Sequence, residues 1–252
     1  MTTQSNQNSQ NSQNSQNNQH TPKVALIIGA SGLVGQHLLL KLLASNHYSQ
    51  VIALVRNPLP ISHIKLIQKK IDFENLANEL SQLTQPIIKQ ENISDKENFP
   101  SKVDHICCTL GSTIKKAGSK SAFNQIDYLY PLIIAKHFYQ QHTALFAIVT
   151  AMAANESSSL FYNQVKGKVE LALRDIGYQH LGLFRPSMLA GHRDEFRLGE
   201  QLGSLIMKAF AFMIPKKYQL IQAEKVANAM LAYAEHPPSG ITIIQSDQLQ
   251  SY

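Results

Sequence analysis

The stretch KVALIIGASGLVGQHLLLKLLAS, residues 23–45, decides the fold. It opens with an uninterrupted apolar run at 24–28, which predicts a buried strand. Glycines follow in the segment GASGLVG, and over 33–45 the apolar residues recur at intervals of three and four, which predicts a helix. A buried strand, a glycine-rich turn and a helix in this order are typical of the first unit of a nucleotide-binding α/β domain.

Gly29, Gly32 and Gly35 each have a physical reason to stand in this turn. The first permits a sharp turn, the second lets the backbone approach a pyrophosphate, and the third packs the helix against the sheet. The amino end of the helix would stabilise the anion, because its first backbone amides have no partner within the helix. The expected phosphate donors are the backbone amides of Ser31, Gly32, Leu33 and Val34.

The rest of the chain alternates short apolar runs with longer amphipathic segments. Strands are predicted in VIALVRNP, VDHICCTLGST, ALFAIVTAMAA, HLGLFRPSML and GITIIQ, a strand leading into a helix in HIKLIQKKIDFENLANELSQL, and helices in SAFNQIDYLYPLIIAKHFYQQ, SLFYNQVKGKVELALRDIG, 198–213 and 224–235. Such alternation indicates βαβ units and a parallel sheet covered on both faces. We therefore predict an α/β fold, a doubly wound parallel sheet (Rossmann) with a small helical C-terminal elaboration.

The chain divides by composition into a tail and one domain. Of the first 20 residues, 16 are Gln, Asn or Ser, and such a segment cannot bury enough apolar surface to offset its chain entropy. We expect residues 1–21 to form a disordered tail, which lacks the pattern of a secretory signal. Residues 22–252 would form a single NAD(P)-binding domain, with 187–252 as its substrate and lid part.

Charge and cysteine content exclude several classes of function. The net charge of +6 is a mild basic excess whose densest cluster, at 113–122, carries three lysines without aromatic residues, so we expect no nucleic-acid partner. The apolar runs are too short to cross a bilayer, so we expect no membrane association. Adjacent Cys107 and Cys108 would point to opposite faces of a strand, which disfavours a disulfide and suits a reducing, cytoplasmic compartment. The ten histidines show no metal-ligand spacing, so no metal is expected.

Arg56 bears on which nicotinamide cofactor the domain would bind. NAD-specific loops usually place an Asp or Glu about 20 residues beyond the glycines, where it accepts a hydrogen bond from the ribose 2′-hydroxyl. Here Arg56 stands 21 residues after Gly35, with no acidic residue beside it. A guanidinium can pair bidentately with a 2′-phosphate. The sequence therefore favours NADP(H) over NAD(H).

Tyr162 and Lys166 stand four residues apart in a predicted helix, within SSSLFYNQVKGKVELALRD at 157–175. Residues four apart share a helix face, so both side chains can enter one site. A free phenol has a pKa of about 10, and a neighbouring ammonium stabilises the phenolate, which suits proton exchange near neutral pH. The pair follows the fifth strand of the predicted parallel sheet, whose carboxyl edge is where ligands bind. Its position favours a proton-delivery pair over an ordinary amphipathic helix.

Nearly all of residues 22–252 resembles the atypical short-chain dehydrogenase/reductases, and within them the Tat-interacting-protein-like oxidoreductases. The segments that carry the resemblance are GASGLVG, KIDFENL, CCTLGST with KKAG after it, FYNQVKGKVE and FRPSMLAGHRDEFRLGE. The last two, in that order and spacing, are more specific than the glycine-rich turn. The resemblance implies Tyr162 and Lys166 as catalytic pair, Leu110 and Gly111 on the adenosine side, Asp72 near the adenine, and Leu189 and Arg197 closing over the cofactor.

Thr150 marks a departure from the family pattern. Members with full reductase machinery carry a Ser shortly before the Tyr, where it polarises the substrate carbonyl. This chain has Thr150 twelve residues before Tyr162, and Ala151 where relatives often have a second Ser. We expect the Thr150 hydroxyl to donate to the carbonyl oxygen instead.

Three functions remain open from the sequence. The first is an NADPH-dependent oxidoreductase for a small carbonyl or alcohol, with Tyr162 as acid-base, Lys166 as its tuner and Thr150 as polariser. The second is an NADP(H)-binding regulatory or scaffold protein with little turnover and a protein partner, suggested by the missing second Ser. A sugar-nucleotide epimerase is the third, although no nucleotide-sugar signature stands in the C-terminal part. A possible homodimer stays open, because the apolar helix predicted near 198–213 can cover the site or form an interface.

Overall fold

A seven-stranded parallel sheet is the centre of the computed structural model, which describes residues 21–85, 99–190 and 215–252. The strand order is β3-β2-β1-β4-β5-β6-β9, and every neighbouring pair is parallel. Its strands are β1 (Lys23–Ile28), β2 (Tyr48–Val55), β3 (Leu66–Lys70), β4 (His105–Cys108), β5 (Leu145–Val149), β6 (His180–Arg185) and β9 (Gly240–Gln245). Two short strands, β7 (Leu189–Ala190) and β8 (Ile221–Gln222), form a separate parallel pair.

Helices cover both faces of this sheet. They are α1 (Leu33–Ala44), α2 (Leu76–Thr84), α3 (Ile114–Ala117), α4 (Lys120–Asn124), α5 (Tyr130–Gln140), α6 (Phe161–Ile176), α7 (Ala223–Glu235) and α8 (Ser246–Leu249), with a π-helical segment at Gln125–Leu129 and 3-10 turns at Phe73–Asn75 and Lys216–Tyr218. Helices α1 and α7 pack on one face, and α2, α5 and α6 pack on the other. None of the described helices is long and apolar enough to span a membrane.

The strand β1 shows how one sequence pattern builds two cores. Ala25 and Ile27 belong to the apolar cluster on the α1 and α7 face, whereas Leu26 and Ile28 belong to the cluster on the opposite face. Side chains alternate across a strand, so a strand buried on both faces must be apolar at every position. The uninterrupted apolar run at 24–28 therefore reflects the burial of β1 on both of its faces, as the sequence indicated.

The direction of winding reverses between β1 and β4. The chain runs outward through β2 and β3 on one side of β1, and through β4, β5, β6 and β9 on the other. In such doubly wound sheets, ligands bind at the carboxyl ends of the strands where the order reverses. This confirms the predicted Rossmann fold and places the expected crevice between the ends of β1 and β4.

The adjacent cysteines lie in opposite cores, as their positions in a strand required. Cys107 belongs to the cluster under α1 and α7, and Cys108 to the cluster under α2, α5 and α6. Both thiols are free and fully buried. Burial raises the pKa of each thiol to about 12, so neither has the thiolate character of a reactive cysteine.

The C-terminal part contributes more to the sheet than a helical elaboration would. The predicted helix and late strand are present as α7 and β9, and β9 pairs with β6 along its whole length. The described portion of 187–252 therefore completes the main sheet in addition to bordering the crevice. The helix predicted at 198–213 and the N-terminal tail, apart from residue 21, lie outside the described residues.

A buried polar network ties the amino ends of three strands together, at the edge opposite the crevice. The Tyr48 hydroxyl lies 2.9 Å from Nδ1 of His105, and the Lys23 ammonium lies 3.1 Å from Nε2 of that ring. Burial, followed by the Lys23 charge and the nearby His47, lowers the pKa of His105 to about 3. The ring is therefore neutral at physiological pH and joins β1, β2 and β4.

Candidate active site

A cleft of about 610 Å³ opens at the carboxyl edge of the sheet, at the reversal between β1 and β4. Five segments form its walls: the turn after β1, the segments after β4, β5 and β6, and the start of α6. Its lining residues include Ser31, Gly32, Leu33, Val34, Gln36, Thr109, Leu110, Gly111, Ser112, Thr113, Lys116, Val149, Thr150, Ala151, Tyr162, Lys166, Pro186, Ser187, Met188 and Leu189. Most of the residues expected from the sequence therefore meet in one cleft.

The glycine-rich turn is shaped by two close approaches of backbone. Gly29 has a φ of +83°, and a Cβ there would lie 2.6 Å from the carbonyl carbon of Thr109. A Cβ at Gly35 would lie 2.1 Å from the carbonyl oxygen of Gly29. Both distances are far below van der Waals contact, so larger residues would displace the turn. The first glycine therefore permits the turn and the third lets α1 pack onto it, as the sequence predicted.

The set of free amides at the start of α1 differs from the expected one. The Gly32 amide donates to the Gly29 carbonyl at 2.9 Å and so closes the turn. Gly32 is the N-cap of α1, and the first amide to bond within the helix is that of Gln36. Leu33, Val34 and Gly35 thus carry the amides that lack a helical acceptor. Gly32 lines the cleft by its backbone, but its N–H group is engaged elsewhere.

Tyr162 and Lys166 both lie on the face of α6 that borders the cleft. The Tyr162 ring packs against Phe123, with centroids 5.4 Å apart. The helix ends at Gly177, whose φ of +87° is the left-handed conformation that favours glycine at a helix end. The sequence therefore predicted both the shared face and the end of this helix.

Lys166 is held by a carboxylate that was not among the site residues expected from the sequence. Its Nζ atom lies 2.7 Å from Oδ1 of Asp127, and the two side chains are only 4% and 0% exposed. The other carboxylate oxygen, Oδ2, accepts a hydrogen bond from the backbone amide of Ser112 at 3.0 Å. Asp127 thus joins the start of the cleft wall after β4 to the lysine on α6.

The backbone around this ion pair is adapted to it. Asp127 stands in the π-helical segment between α4 and α5, and such segments occur frequently at functional sites. A Cβ at Gly111 would lie 3.6 Å from Oδ1 of Asp127 and 3.7 Å from Nζ of Lys166. Gly111 therefore forms the wall directly over the ion pair.

Gly167, next to the lysine, lets a loop approach α6 closely. A Cβ at this position would lie 2.1 Å from the backbone carbon of Asn155 and the backbone nitrogen of Glu156. The Asn155 amide also donates to the Asn163 carbonyl at 3.1 Å, which holds the loop against the first turn of α6. This contact explains why the motif FYNQVKGKVE needs a glycine inside a helix, where glycine lowers helix stability.

The Thr150 hydroxyl is engaged by a buried carboxylate. It donates to Oε1 of Glu170 at 2.6 Å, and Thr150 is only 4% exposed although it borders the cleft. Glu170 also accepts two hydrogen bonds from the Arg185 guanidinium, one of them at 2.9 Å from Nε. Those hydrogen bonds outweigh burial and raise the pKa of Arg185 further. Donation to a carbonyl, as expected for Thr150, requires this hydroxyl to leave a fixed, charged acceptor.

Arg56 and Asp72 border a second recess, of about 520 Å³, at the carboxyl ends of β2 and β3. Arg56 is exposed at the end of β2, where the cofactor-selecting residue was expected. The Asp72 carboxylate caps the following 3-10 turn by accepting from the Glu74 amide at 3.0 Å. The recess therefore contains a cation at the expected position, with carboxylates nearby.

The remaining expected residues fall into two groups. Leu110, Gly111 and Leu189 line the main cleft, the last from the short strand β7. Arg197 lies outside the described residues. Within the described part of the chain, no cluster of three or more His, Cys, Asp or Glu side chains has the arrangement of a metal site.

Two of the site residues that were not expected from the sequence nevertheless have a signal in it. Asp127 is the one charged residue between 121 and 135, in an otherwise apolar and neutral helical segment. Glu170 follows Lys166 by four residues and so continues the face defined by Tyr162 and Lys166. No local pattern pointed to Arg185, which is polar at the end of a buried strand.

A doubly wound sheet with a glycine-rich turn, and a Tyr-Lys pair in the cleft where its winding reverses, defines a Rossmann domain of the short-chain dehydrogenase/reductase type. More narrowly, the chain belongs to the HIM1 family, which matches residues 67–218. The rat protein HTATIP2 is 29% identical over 221 residues, covering 86% of this chain and 84% of the rat protein. FMP52 of Eremothecium gossypii, named as mitochondrial, is 28% identical over 175 residues, covering 69% and 70%. The resemblance drawn from the motifs is thereby confirmed.

Solved structures with the same fold contain either nicotinamide cofactor. A short-chain dehydrogenase from Burkholderia cenocepacia in complex with NADP has a TM-score of 0.59 at 15% identity, covering 92% of each chain. The Bordetella bronchiseptica enzyme WbmH in complex with NAD+ has a TM-score of 0.62 at 14% identity, covering 89% of this chain and 76% of that one. At these identities the likeness establishes the fold.

The expectation of a purely cytoplasmic protein was wrong. FMP52 proteins from Eremothecium gossypii, Candida albicans, Emericella nidulans and Candida glabrata all carry a mitochondrial name. The expectation depended on two cysteines that form no disulfide. Both are buried with raised thiol pKa values, so they are inert in any compartment and do not indicate one.

Proposed function

We propose that this protein is an NADPH-dependent oxidoreductase acting on a small carbonyl compound or alcohol. One observation carries the proposal: Tyr162 and Lys166 line the same cleft as the amino end of α1. A cofactor held at that helix end would extend toward the phenol. This arrangement supports redox chemistry with proton transfer more directly than it supports cofactor binding alone.

The residues present fit a dinucleotide. Gly32 lines the cleft at the start of α1 without a side chain, so backbone is open there to a pyrophosphate. The amides of Leu33 and Val34 would hold the phosphates, and Leu189 would cover the bound cofactor from the opposite wall. When bound, NADPH supplies a hydride to the carbonyl carbon, or NADP⁺ accepts one from the alcohol.

Tyr162 would handle the proton of this reaction. In the reductive direction its hydroxyl donates a proton to the carbonyl oxygen, and in the oxidative direction its phenolate accepts one from the alcohol. The Lys166 ammonium on the next helical turn stabilises the phenolate form electrostatically. The same ammonium has donors for the ribose hydroxyls of the cofactor.

Thr150 would stabilise the site from behind. Its hydroxyl would have to abandon Glu170 in order to donate to a substrate, and a hydrogen bond to a charged group contributes about 1.5–3 kcal/mol. We therefore assign Thr150 to the network with Glu170 and Arg185, and assign carbonyl activation to Tyr162. This modifies the sequence-based expectation that Thr150 polarises the carbonyl.

Arg56 would select NADP(H). Its exposed guanidinium at the end of β2 can pair bidentately with a 2′-phosphate. Asp72 in the same recess would then face the adenine side. The HIM1 match and the fold are equally compatible with NAD(H), so this preference depends on Arg56.

A regulatory protein that binds NADP(H) without turnover is the second candidate. The engagement of the Thr150 hydroxyl by Glu170 favours it, because Tyr162 then has no hydroxyl partner of the expected kind for the carbonyl. The test is NADPH consumption with a panel of aldehydes and ketones, alongside NADPH binding. Turnover that disappears in Tyr162→Phe supports the enzyme, whereas tight binding without turnover on any carbonyl supports the regulatory protein.

A further inference from the structure

We propose that Asp127 is a positioning residue that keeps the Lys166 side chain charged and fixed against the cleft wall. The inference deepens the proposed function, because it concerns the lysine assigned there to Tyr162 and the cofactor. It starts from the ion pair of 2.7 Å between two side chains that are almost completely buried.

A buried ammonium needs such a partner to stay protonated. Transfer of a charge out of water carries a large free-energy penalty, and an unpaired buried lysine instead loses its proton. Burial works to lower the pKa of Lys166, but Asp127, followed by Tyr162, outweighs burial and raises it. Without Asp127, burial would lower the pKa of Lys166 with much less opposition.

Asp127 also has the geometry of a positioning residue. Its second oxygen is fixed by the Ser112 amide at 3.0 Å, so the carboxylate is anchored to the backbone of the cleft wall. Among the described residues, Oδ1 has no hydrogen-bond partner, and its close contact is the ion pair with the Lys166 ammonium at 2.7 Å. Replacement of either residue of the ion pair would therefore also affect the segment after β4, where Gly111 lies over both side chains.

The other ionisable groups around Lys166 cannot replace Asp127. The Cys108 thiol is neutral because burial raises its pKa to about 12. The carboxylate of Glu170, one turn further along α6, is bonded to the Arg185 guanidinium and to the Thr150 hydroxyl. Tyr162 is a phenol that exchanges its proton in the proposed reaction. Asp127 is therefore the one carboxylate of the described residues that is available to balance the lysine.

Asp127→Asn tests this without requiring turnover. The amide is nearly the same shape and its oxygen can still accept from Ser112, but the charge is lost. Asp175→Asn, an exposed change of the same charge on α6, is the matched control. The first readout is the urea midpoint of unfolding of each cofactor-free protein between pH 6 and pH 9.5, and the second is the NADPH dissociation constant over the same range.

The expected pH dependence follows from proton linkage. In the parent, Lys166 has a raised pKa, so its stabilising contribution is present below the unfolded-state pKa and is lost only as pH rises through the folded-state value. In Asp127→Asn the folded-state pKa falls below the unfolded one, so the instability is greatest at low pH and shrinks as pH rises. A lost hydrogen bond alone would produce the same deficit at every pH.

We expect the midpoint deficit of Asp127→Asn to shrink by at least half between pH 6 and pH 9.5. We expect its NADPH dissociation constant to rise at least fivefold over this range relative to the parent, while Asp175→Asn follows the parent in both readouts. A deficit independent of pH, or parallel NADPH curves for Asp127→Asn and the parent, overturns the inference. Failure of the parent itself to bind NADPH would instead overturn the proposed function, while the stability readout still judges Asp127.

Discussion

Lys166 and Asp127 form a buried ion pair of 2.7 Å that joins α6 to the π-helical segment before α5. The lysine beside Tyr162 is therefore neutralised on one side, which reduces the field that it can exert on the phenol. Its raised pKa also means that it remains charged across the physiological range. Proton exchange by Tyr162 would thus be tuned by a pair of opposite charges rather than by a lone ammonium.

Removal of the phenol hydroxyl should abolish turnover and leave the fold intact. We expect Tyr162→Phe to lower kcat by about 10²–10⁴-fold, the range typical of a lost general acid-base group. The NADPH dissociation constant should change by less than threefold. Tyr139→Phe, at an exposed position near the end of α5, is the control and should keep parental activity. Parental kcat in Tyr162→Phe would rule out its assigned role.

Charge reversal at Arg56 should change the preference between the two reduced cofactors. We expect Arg56→Asp to raise the dissociation constant of NADPH at least tenfold, about 1.4 kcal/mol, and to leave that of NADH within threefold. The reason is repulsion between the new carboxylate and a 2′-phosphate. Lys136→Asp introduces the same charge change at an exposed site on α5 and should affect both cofactors equally. An unchanged NADPH-to-NADH ratio in Arg56→Asp would remove Arg56 as the selecting residue.

Loss of the Thr150 hydroxyl should affect stability more than catalysis. Thr150→Val removes one of the two donors to Oε1 of Glu170 and leaves the one from Arg185. Because a hydrogen bond to a charged group contributes about 1.5–3 kcal/mol, we expect the free energy of unfolding to fall by about that amount. Thr150→Ser keeps the hydroxyl donor and should lose less stability. Turnover of Thr150→Val should stay within tenfold of the parent. A loss of about 10²–10³-fold, typical for a donor to a developing oxyanion, would return Thr150 to the substrate.

Acid should destabilise the protein through His105 before it acts on the carboxylates. Burial lowers the pKa of His105 from 6.5 to about 3, so the unfolded chain binds more protons than the folded one between these values. The free energy of unfolding should therefore fall by up to about 1.4 kcal/mol per unit as pH drops from 6.5 toward 4. His105→Asn should be less stable near neutral pH and show a smaller slope, whereas exposed His63→Asn should keep the parental slope. Equal slopes for His105→Asn and the parent would contradict this account.

The parts of the molecule that the sequence predicted are those encoded locally. The strand, the glycine-rich turn and the helix of the first unit are each determined by residues that are close in sequence. They could therefore be predicted from the apolar run over 24–28, the three glycines and the periodicity of α1. The same holds for Tyr162 and Lys166, which are fixed relative to each other by one helical turn. Cys107 and Cys108 face opposite cores because side chains alternate along any strand.

The parts that escaped prediction depend on partners distant in the chain. Asp127 belongs to the site because it pairs with Lys166, which is 39 residues away in the sequence and is brought next to it by the fold. The Thr150 hydroxyl was expected to donate to the substrate. The sequence around Thr150 does not show that Glu170, on another element, accepts from this hydroxyl. The Gly32 amide was expected to bind phosphate, but the geometry of the turn uses it internally. The sequence thus did not predict which side chains and amides bond to each other between different elements of the fold.

Thermal unfolding of the purified full chain with saturating NADPH, NADP⁺, NADH or NAD⁺ tests the central claim most directly. A ligand at 100 times its dissociation constant adds about 2.7 kcal/mol of stability, which for a chain of this size raises Tm by roughly 5–10 °C. The account predicts that rise with NADPH and NADP⁺ and a clearly smaller one with NADH and NAD⁺. No rise with any of the four nucleotides would contradict the account, because the cleft would then hold no nicotinamide cofactor for Tyr162 to serve.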